Sequence, residues 1–332
     1  MIKTIITLYK KIIRENLLFD DLFILDSPKE PYTYELGEEI TNWTREIALR
    51  PCRSKTMVLD GLQKAALGDW EGSILEYTNA IHINPGLVAG WFYRAGAHSR
   101  LSHLDETNFD YVNAIYRARG NLKILFNYAV CNAHFWLFRV ALQNFEEVIK
   151  CDDTVAEFYL YRGRTKSMLD DHPGALADYN RAEELDPSTR IFHSGRGIAR
   201  LVTGDFKGAI EDLDIDISNN PLKDQCWFNR GIARLAMDDN RRAMDDFDHV
   251  LLANNSIRNA STLKGFALLQ MEDFQGALSI FQTMIHTSPQ NQIAWFGKGL
   301  TNLALGNNYG YVDLVKSGEF GFKKAFEIIK IV

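Results

Sequence analysis

The hydrophobic and polar positions of this chain follow a helical rhythm from its first residues. Ile5, Ile6, Tyr9, Ile12, Ile13 and Leu17 fall at three- and four-residue steps, which predicts an amphipathic helix at the N-terminus. Lys10, Lys11 and Arg14 interrupt that apolar run well before signal-peptide length, and no small-residue cleavage site follows. The expected role of the segment is docking onto the body of the protein, with a membrane-surface helix as the lesser option because its basic face is short. A second helix is predicted around Glu35–Leu49, and no convincing strand occurs anywhere.

Further along, the rhythm repeats itself. The segments starting at Tyr159, His193 and Trp227 align without a gap at a spacing of 34 residues. The same ruler starts repeats at Ser54, Val88, Leu122, Ala156, Arg190, Asp224, Arg258 and Gln292. The eighth position is then always small: Gly61, Ala95, Ala129, Gly163, Gly197, Gly231, Gly265 and Gly299. The twentieth is Ser73, Thr107, Ala141, Ala175, Ala209, Ala243 and Ala277, and the twenty-fourth is Tyr77, Tyr111, Phe145, Tyr179, Leu213, Phe247 and Phe281. Proline takes the thirty-second position at Pro85, Pro187, Pro221 and Pro289. Small residues allow two helices to approach closely, and proline falls where the second helix must end. The second and third repeats depart most from the pattern, and the eighth carries Tyr311 at its twentieth position.

This period, with its order of aromatic, small, aromatic and proline positions, resembles the tetratricopeptide-repeat (TPR) family. The resemblance covers residues 54 to roughly 320. It implies an all-α fold, a right-handed superhelix of about eight units, each a pair of antiparallel helices A and B. Residues 1–53 are expected to form an N-terminal helical cap or extension, 54–320 the repeats, and 321–332 a C-terminal capping helix.

Comparing the repeats with one another exposes a charge pattern. Arg94, Arg162, Arg196 and Arg230 occupy the seventh position, and the same four repeats carry Asp110, Asp178, Asp212 and Asp246 at the twenty-third. Where the arginine is missing the aspartate is missing too, as in Tyr128/Asn144, Lys264/Ile280 and Asp60/Glu76. A structural ladder of arginine–carboxylate pairs between helices is expected, because this pairing tolerates partial burial.

Composition narrows the function classes. A formal net charge of -6 leaves no basic surplus for a nucleic-acid backbone, and 46% hydrophobic residues are ample for a core. The four cysteines, Cys52, Cys131, Cys151 and Cys226, form no CxxC and are expected to be reduced. No stretch reaches the ~18 apolar residues of a membrane span, so the chain is read as cytoplasmic. His98 and His103, five apart, do not share one helix face for a metal, and no P-loop, GxSxG or HExxH motif occurs. No catalytic residue, metal or cofactor is expected, and the protein is read as a non-enzyme.

In the TPR family helix A lines a concave groove. Carrying those positions over gives, as candidate partner-binding residues, Phe92, Tyr93, Arg100, Lys123, Phe126, Asn127, Tyr161, Arg164, Phe228, Asn229, Asn259 and Phe296. A protein or peptide partner is implied. The carboxylate clamp for chaperone tails is not expected, since Val58, Leu62 and Tyr93 stand at its sites and Lys123 is its one cation in place. A scaffold or adaptor is the leading reading. A peptide-responsive regulator, or a regulatory subunit of an enzyme complex, is the alternative.

Overall fold

A computed structural model describes residues 52–188, 193–253 and 259–330. The two helices expected before Ser54 lie outside these residues. The described chain forms two compact units on either side of residue 190. The first holds α1 (Arg53–Ala66), α2 (Trp70–Ile83), α3 (Val88–Arg100), α4 (Leu104–Ala118), α5 (Leu122–His134), α6 (Phe138–Cys151), α7 (Ala156–Ser167) and α8 (His172–Leu185). The second holds α9 (His193–Thr203), α10 (Phe206–Asn219), α11 (Asp224–Ala236), α12 (Asn240–Leu252), α13 (Ala260–Gln270), α14 (Phe274–Thr287), α15 (Gln292–Ala304), α16 (Tyr309–Glu319) and the short α17 (Lys324–Ile329). No strand occurs among the described residues.

Odd-numbered helices α1 to α15 are the A helices and even-numbered ones the B helices. Their contact is built from the small and aromatic columns. Ser73, Ala141, Ala175, Ala209, Ala243 and Ala277 are wholly buried, as are Phe145, Leu213, Phe247 and Phe281. At Gly231 a Cβ would sit 2.6 Å from Phe247 Cε1, so only glycine lets the ring lie against the helix backbone. Each such ring withdraws an aromatic surface from water, worth about 2–3 kcal/mol.

The A–B turn has one conformation throughout. Its fifteenth position lies in the left-handed region at Gly68, Ser102, Trp136, Asp170, Gly204, Asp238, Glu272 and Gly306. Five of these eight are not glycine, and each bears a steric cost of about 1–2 kcal/mol for its Cβ. Glu272→Gly is therefore expected to stabilise the protein by about 0.5–1 kcal/mol after the extra flexibility of the unfolded chain is deducted. A urea titration against wild type measures this, and an unchanged or lower midpoint contradicts it.

The next residue caps the B helix. Asp69, Asp171, Asp205 and Asp273 accept hydrogen bonds from the amides of Gly72, Gly174, Gly208 and Gly276 at 2.9–3.0 Å. Where Arg242 replaces that glycine the bond to Asp239 stretches to 3.4 Å. The A helices are tied back to the preceding repeat by another recurring bond. The indole N–H of Trp91, Trp227 and Trp295 donates to the carbonyl of Pro85, Pro221 and Pro289 at 2.7–2.9 Å.

The even 34-residue ruler fails in the last repeat. Gly310, not Tyr311, packs against Gly299, and Leu314 takes the place of the buried aromatic ring. Gly299 and its helix-B partner Gly310 are eleven residues apart, against twelve for Gly61 and Ser73, which moves every later position forward by one. Ala325 and Ile328 of α17 are buried in the core of the second unit.

Candidate functional site

Helix A carries two kinds of side chain, and the structure separates them. The seventh-position arginines turn toward their own helix B. Arg94 reaches Asp110 with Nε at 2.8 Å and Nη2 at 2.7 Å. Arg162 holds Asp178 at 2.8 and 2.6 Å, Arg196 holds Asp212 at 2.9 and 2.7 Å, and Arg230 holds Asp246 at 3.2 and 2.6 Å. All four carboxylates are buried, and the two-pronged geometry fixes them in orientation.

Three of these carboxylates also face a second cation, and the fourth a histidine, one turn further along helix A. Lys166 lies 2.9 Å from Asp178, and Arg200 and Arg234 each lie 2.8 Å from Asp212 and Asp246. His98 is 3.9 Å from Asp110. His193 adds a third group on Asp212 at 3.1 Å. The eleventh position is basic in Lys64, His98, Lys166, Arg200 and Arg234, and that column held the signal for this second partner. Lys64 answers Glu76 at 2.6 Å, which repairs the repeat lacking an arginine. In the shortened eighth repeat Lys298 and Asn302 close on Asp313 instead.

The seventh-position cation also reaches the preceding repeat. Arg94 donates to Thr78, Arg230 to Asp214 and Lys264 to Asp248. The same cation stacks on the aromatic ring three residues earlier, Arg94 over Trp91, Arg162 over Tyr159, Arg230 over Trp227 and Lys298 over Trp295. Burial pushes the Asp246 carboxyl above its usual range despite the pull of Arg230 and Arg234, whereas the Asp178 hydrogen bond raises Arg162. These groups are committed to holding helices together.

The twelve candidate groove residues divide sharply. Phe126 and Phe296 are wholly buried, and Phe92, Phe228, Tyr93, Asn127 and Asn229 are buried as well. Their positions on helix A face the core. Phe126 lies 5.8 Å from Phe145 and 5.0 Å from Phe158 of the next A helix, filling the space between repeats. Phe228 lies 6.0 Å from Phe247, and Phe296 lies 4.8 Å from Phe322. Asn127 donates to the carbonyl of Lys123 within its own helix. These seven side chains form core rather than lining.

Five remain at the surface: Lys123 is exposed, and Arg100, Tyr161, Arg164 and Asn259 are half-buried. Four of them belong to the first unit, and three of those four are cations. Arg100 rests its guanidinium 5.3 Å from the Trp70 ring, and Tyr161 meets Phe126 edge-on at 5.3 Å. Lys55 shares the position of Lys123 two repeats earlier. Glu157, half-buried at the same position of the fourth repeat, has its carboxyl pushed up by burial and by Asp186. The helix-A face of the first unit thus carries positive charge and an aromatic edge on a chain that is acidic in total.

Among the described residues, no group of three or more histidine, cysteine, aspartate or glutamate side chains is arranged to share a metal ion. No described helix is long and apolar enough to cross a membrane. Cys131 is buried beside Ser99 and Tyr111, and burial pushes its thiol up.

The tetratricopeptide repeat family model matches residues 162–220 and 262–308. A tetratricopeptide repeat protein from Parabacteroides merdae superposes with a TM-score of 0.54 at 18% identity, over 75% of this chain and 98% of that one. The C-terminal part of a TPR repeat-containing protein from Cytophaga hutchinsonii gives 0.54 at 14% identity, over 71% and 98%. At these identities the likeness carries the fold alone. No curated protein sequence matches the chain.

Proposed function

We propose, from the premise that this chain is a tetratricopeptide-repeat protein, that it is a non-enzymatic binding scaffold. Its partner is an acidic protein segment or peptide held on the helix-A face of the first unit. The carrying observation is what remains of the candidate groove after its buried members are removed: Arg100, Lys123, Tyr161 and Arg164. Guanidinium groups grip carboxylates in two-pronged fashion, a tyrosine edge adds contact area at little entropic cost, and lysine supplies longer-range steering. Asn259 belongs to the second unit.

The experiment is a selection from a random peptide display library on the full chain, followed by affinity measurement on the enriched peptides. Enrichment of Asp- and Glu-rich sequences is expected, with affinity falling at least tenfold in Lys123→Glu/Arg164→Glu, equivalent to about 1.4 kcal/mol. Enrichment of neutral or basic peptides, or equal binding by the double variant, overturns the reading. Phe228→Ala is unsuitable as a groove variant, because its ring is 1% exposed and its loss damages the core.

A further inference from the structure

The second repeat differs from its siblings at two positions that face each other. The eleventh position is Lys64, Lys166, Arg200 or Arg234 in four other repeats, and the sixteenth is Asp69, Asp171, Asp205, Asp239 or Asp273 in five. In the fifth repeat the two meet as an ion pair, Arg200 Nε lying 3.5 Å from Asp205 Oδ2. In the second repeat they are His98 and His103, and their Nδ1 atoms are 3.3 Å apart.

Sequence spacing alone argues against a shared metal, because five residues do not return to one helix face. The two histidines are not on one helix. His98 lies in the last turn of α3, and His103 is the N-cap residue of α4 beyond the left-handed turn at Ser102. The turn folds the chain back and brings the rings together. Unlike the aspartates at its position, His103 makes no side-chain cap hydrogen bond.

We propose that His98 and His103 chelate a divalent transition-metal ion of the zinc class through their Nδ1 atoms. Two zinc–nitrogen bonds of about 2.05 Å at the tetrahedral angle place the nitrogens about 3.3 to 3.4 Å apart, so the observed separation is already that of a chelate. The far side of His98 supports it. Its Nε2 lies 3.9 Å from Asp110, and Asp110 is fixed by the two-pronged grip of Arg94. A carboxylate there favours the proton on Nε2 and leaves the Nδ1 lone pair for a metal.

The groups facing His98 are Asp110 and Glu106 of α4, Arg94 of its own helix and His103. Two nitrogen donors suit copper, zinc and nickel and disfavour calcium and magnesium. The remaining coordination positions belong to water or to a donor carried by a bound protein.

The test is calorimetric titration of the untagged full chain with ZnCl2 at about pH 7.5. Wild type is compared with His103→Ala, whose ring is exposed, and with His98→Gln; circular dichroism verifies that both remain helical. One zinc ion is expected to bind wild type, and to bind either variant at least tenfold more weakly. Cobalt substitution is expected to give the visible absorption of a tetrahedral site in wild type alone. Equal zinc binding by wild type and His103→Ala overturns the proposal, as does absence of binding up to about 1 mM zinc, which leaves only a hydrogen bond between the rings.

Discussion

Replacing Asp212 by alanine is expected to destabilise the protein by about 3–5 kcal/mol. The carboxylate is 1% exposed and is shared by Arg196, Arg200 and His193, whose donors lie 2.7–3.1 Å from its oxygens. Its removal strands a guanidinium that is itself buried, and an uncompensated buried charge is what makes breaking such pairs costly. The reverse experiment separates this cost from the net worth of the pair. Arg196→Met/Asp212→Leu removes both charges and keeps the volume apolar, so most of the lost stability is expected to return. Denaturant titrations of the two variants decide the matter. If the single variant loses less than about 1 kcal/mol, the carboxylate is solvated in solution and is not a buried anchor.

Phe281→Ala is expected to cost about 3–5 kcal/mol. The ring is wholly buried and serves two contacts at once. A Cβ at Gly265 of its own repeat would lie 2.8 Å from Phe281 Cζ, and one at Gly297 of the next repeat 2.3 Å from the same atom. One side chain therefore fills both the hairpin of α13 and α14 and its junction with α15. Because a repeat array is held by nearest-neighbour contacts, the damage is expected to be local. Hydrogen exchange should rise first in α13 to α16 while the helices of the first unit keep their protection. Uniform loss of protection across the chain would show that the units unfold as one, contrary to this expectation.

These two residues mark what a sequence can reveal here. Phe281 and Asp212 belong to columns, and columns are legible because every repeat solves the same packing problem with the same kind of residue. The seventh and twenty-third positions were readable for the same reason. The shared role of the eleventh position was harder to see, since lysine, arginine and histidine all serve and the column looks merely basic. Asp313 was hidden because the spacing from Gly299 to Gly310 is one residue short and shifts the ruler, and an ungapped alignment puts Leu314 where the carboxylate belongs. The candidate groove was the least legible part. A phenylalanine on helix A reads the same whether it meets a partner or the next repeat, and Phe126 and Phe296 meet the next elements of the chain itself. The histidine pair needed the turn at Ser102, whose left-handed backbone no residue preference announces.

The tie from the seventh position to the preceding helix B runs in one direction only. Thr78, Asp214 and Asp248 wait at the end of one repeat for Arg94, Arg230 and Lys264 of the next. On a ribosome, where the earlier segment emerges first, the receiving oxygen is in place before its cation has been synthesised. Each new hairpin then finds a formed edge with an acceptor already presented, and growth of the stack has a built-in arrow from N-terminus to C-terminus.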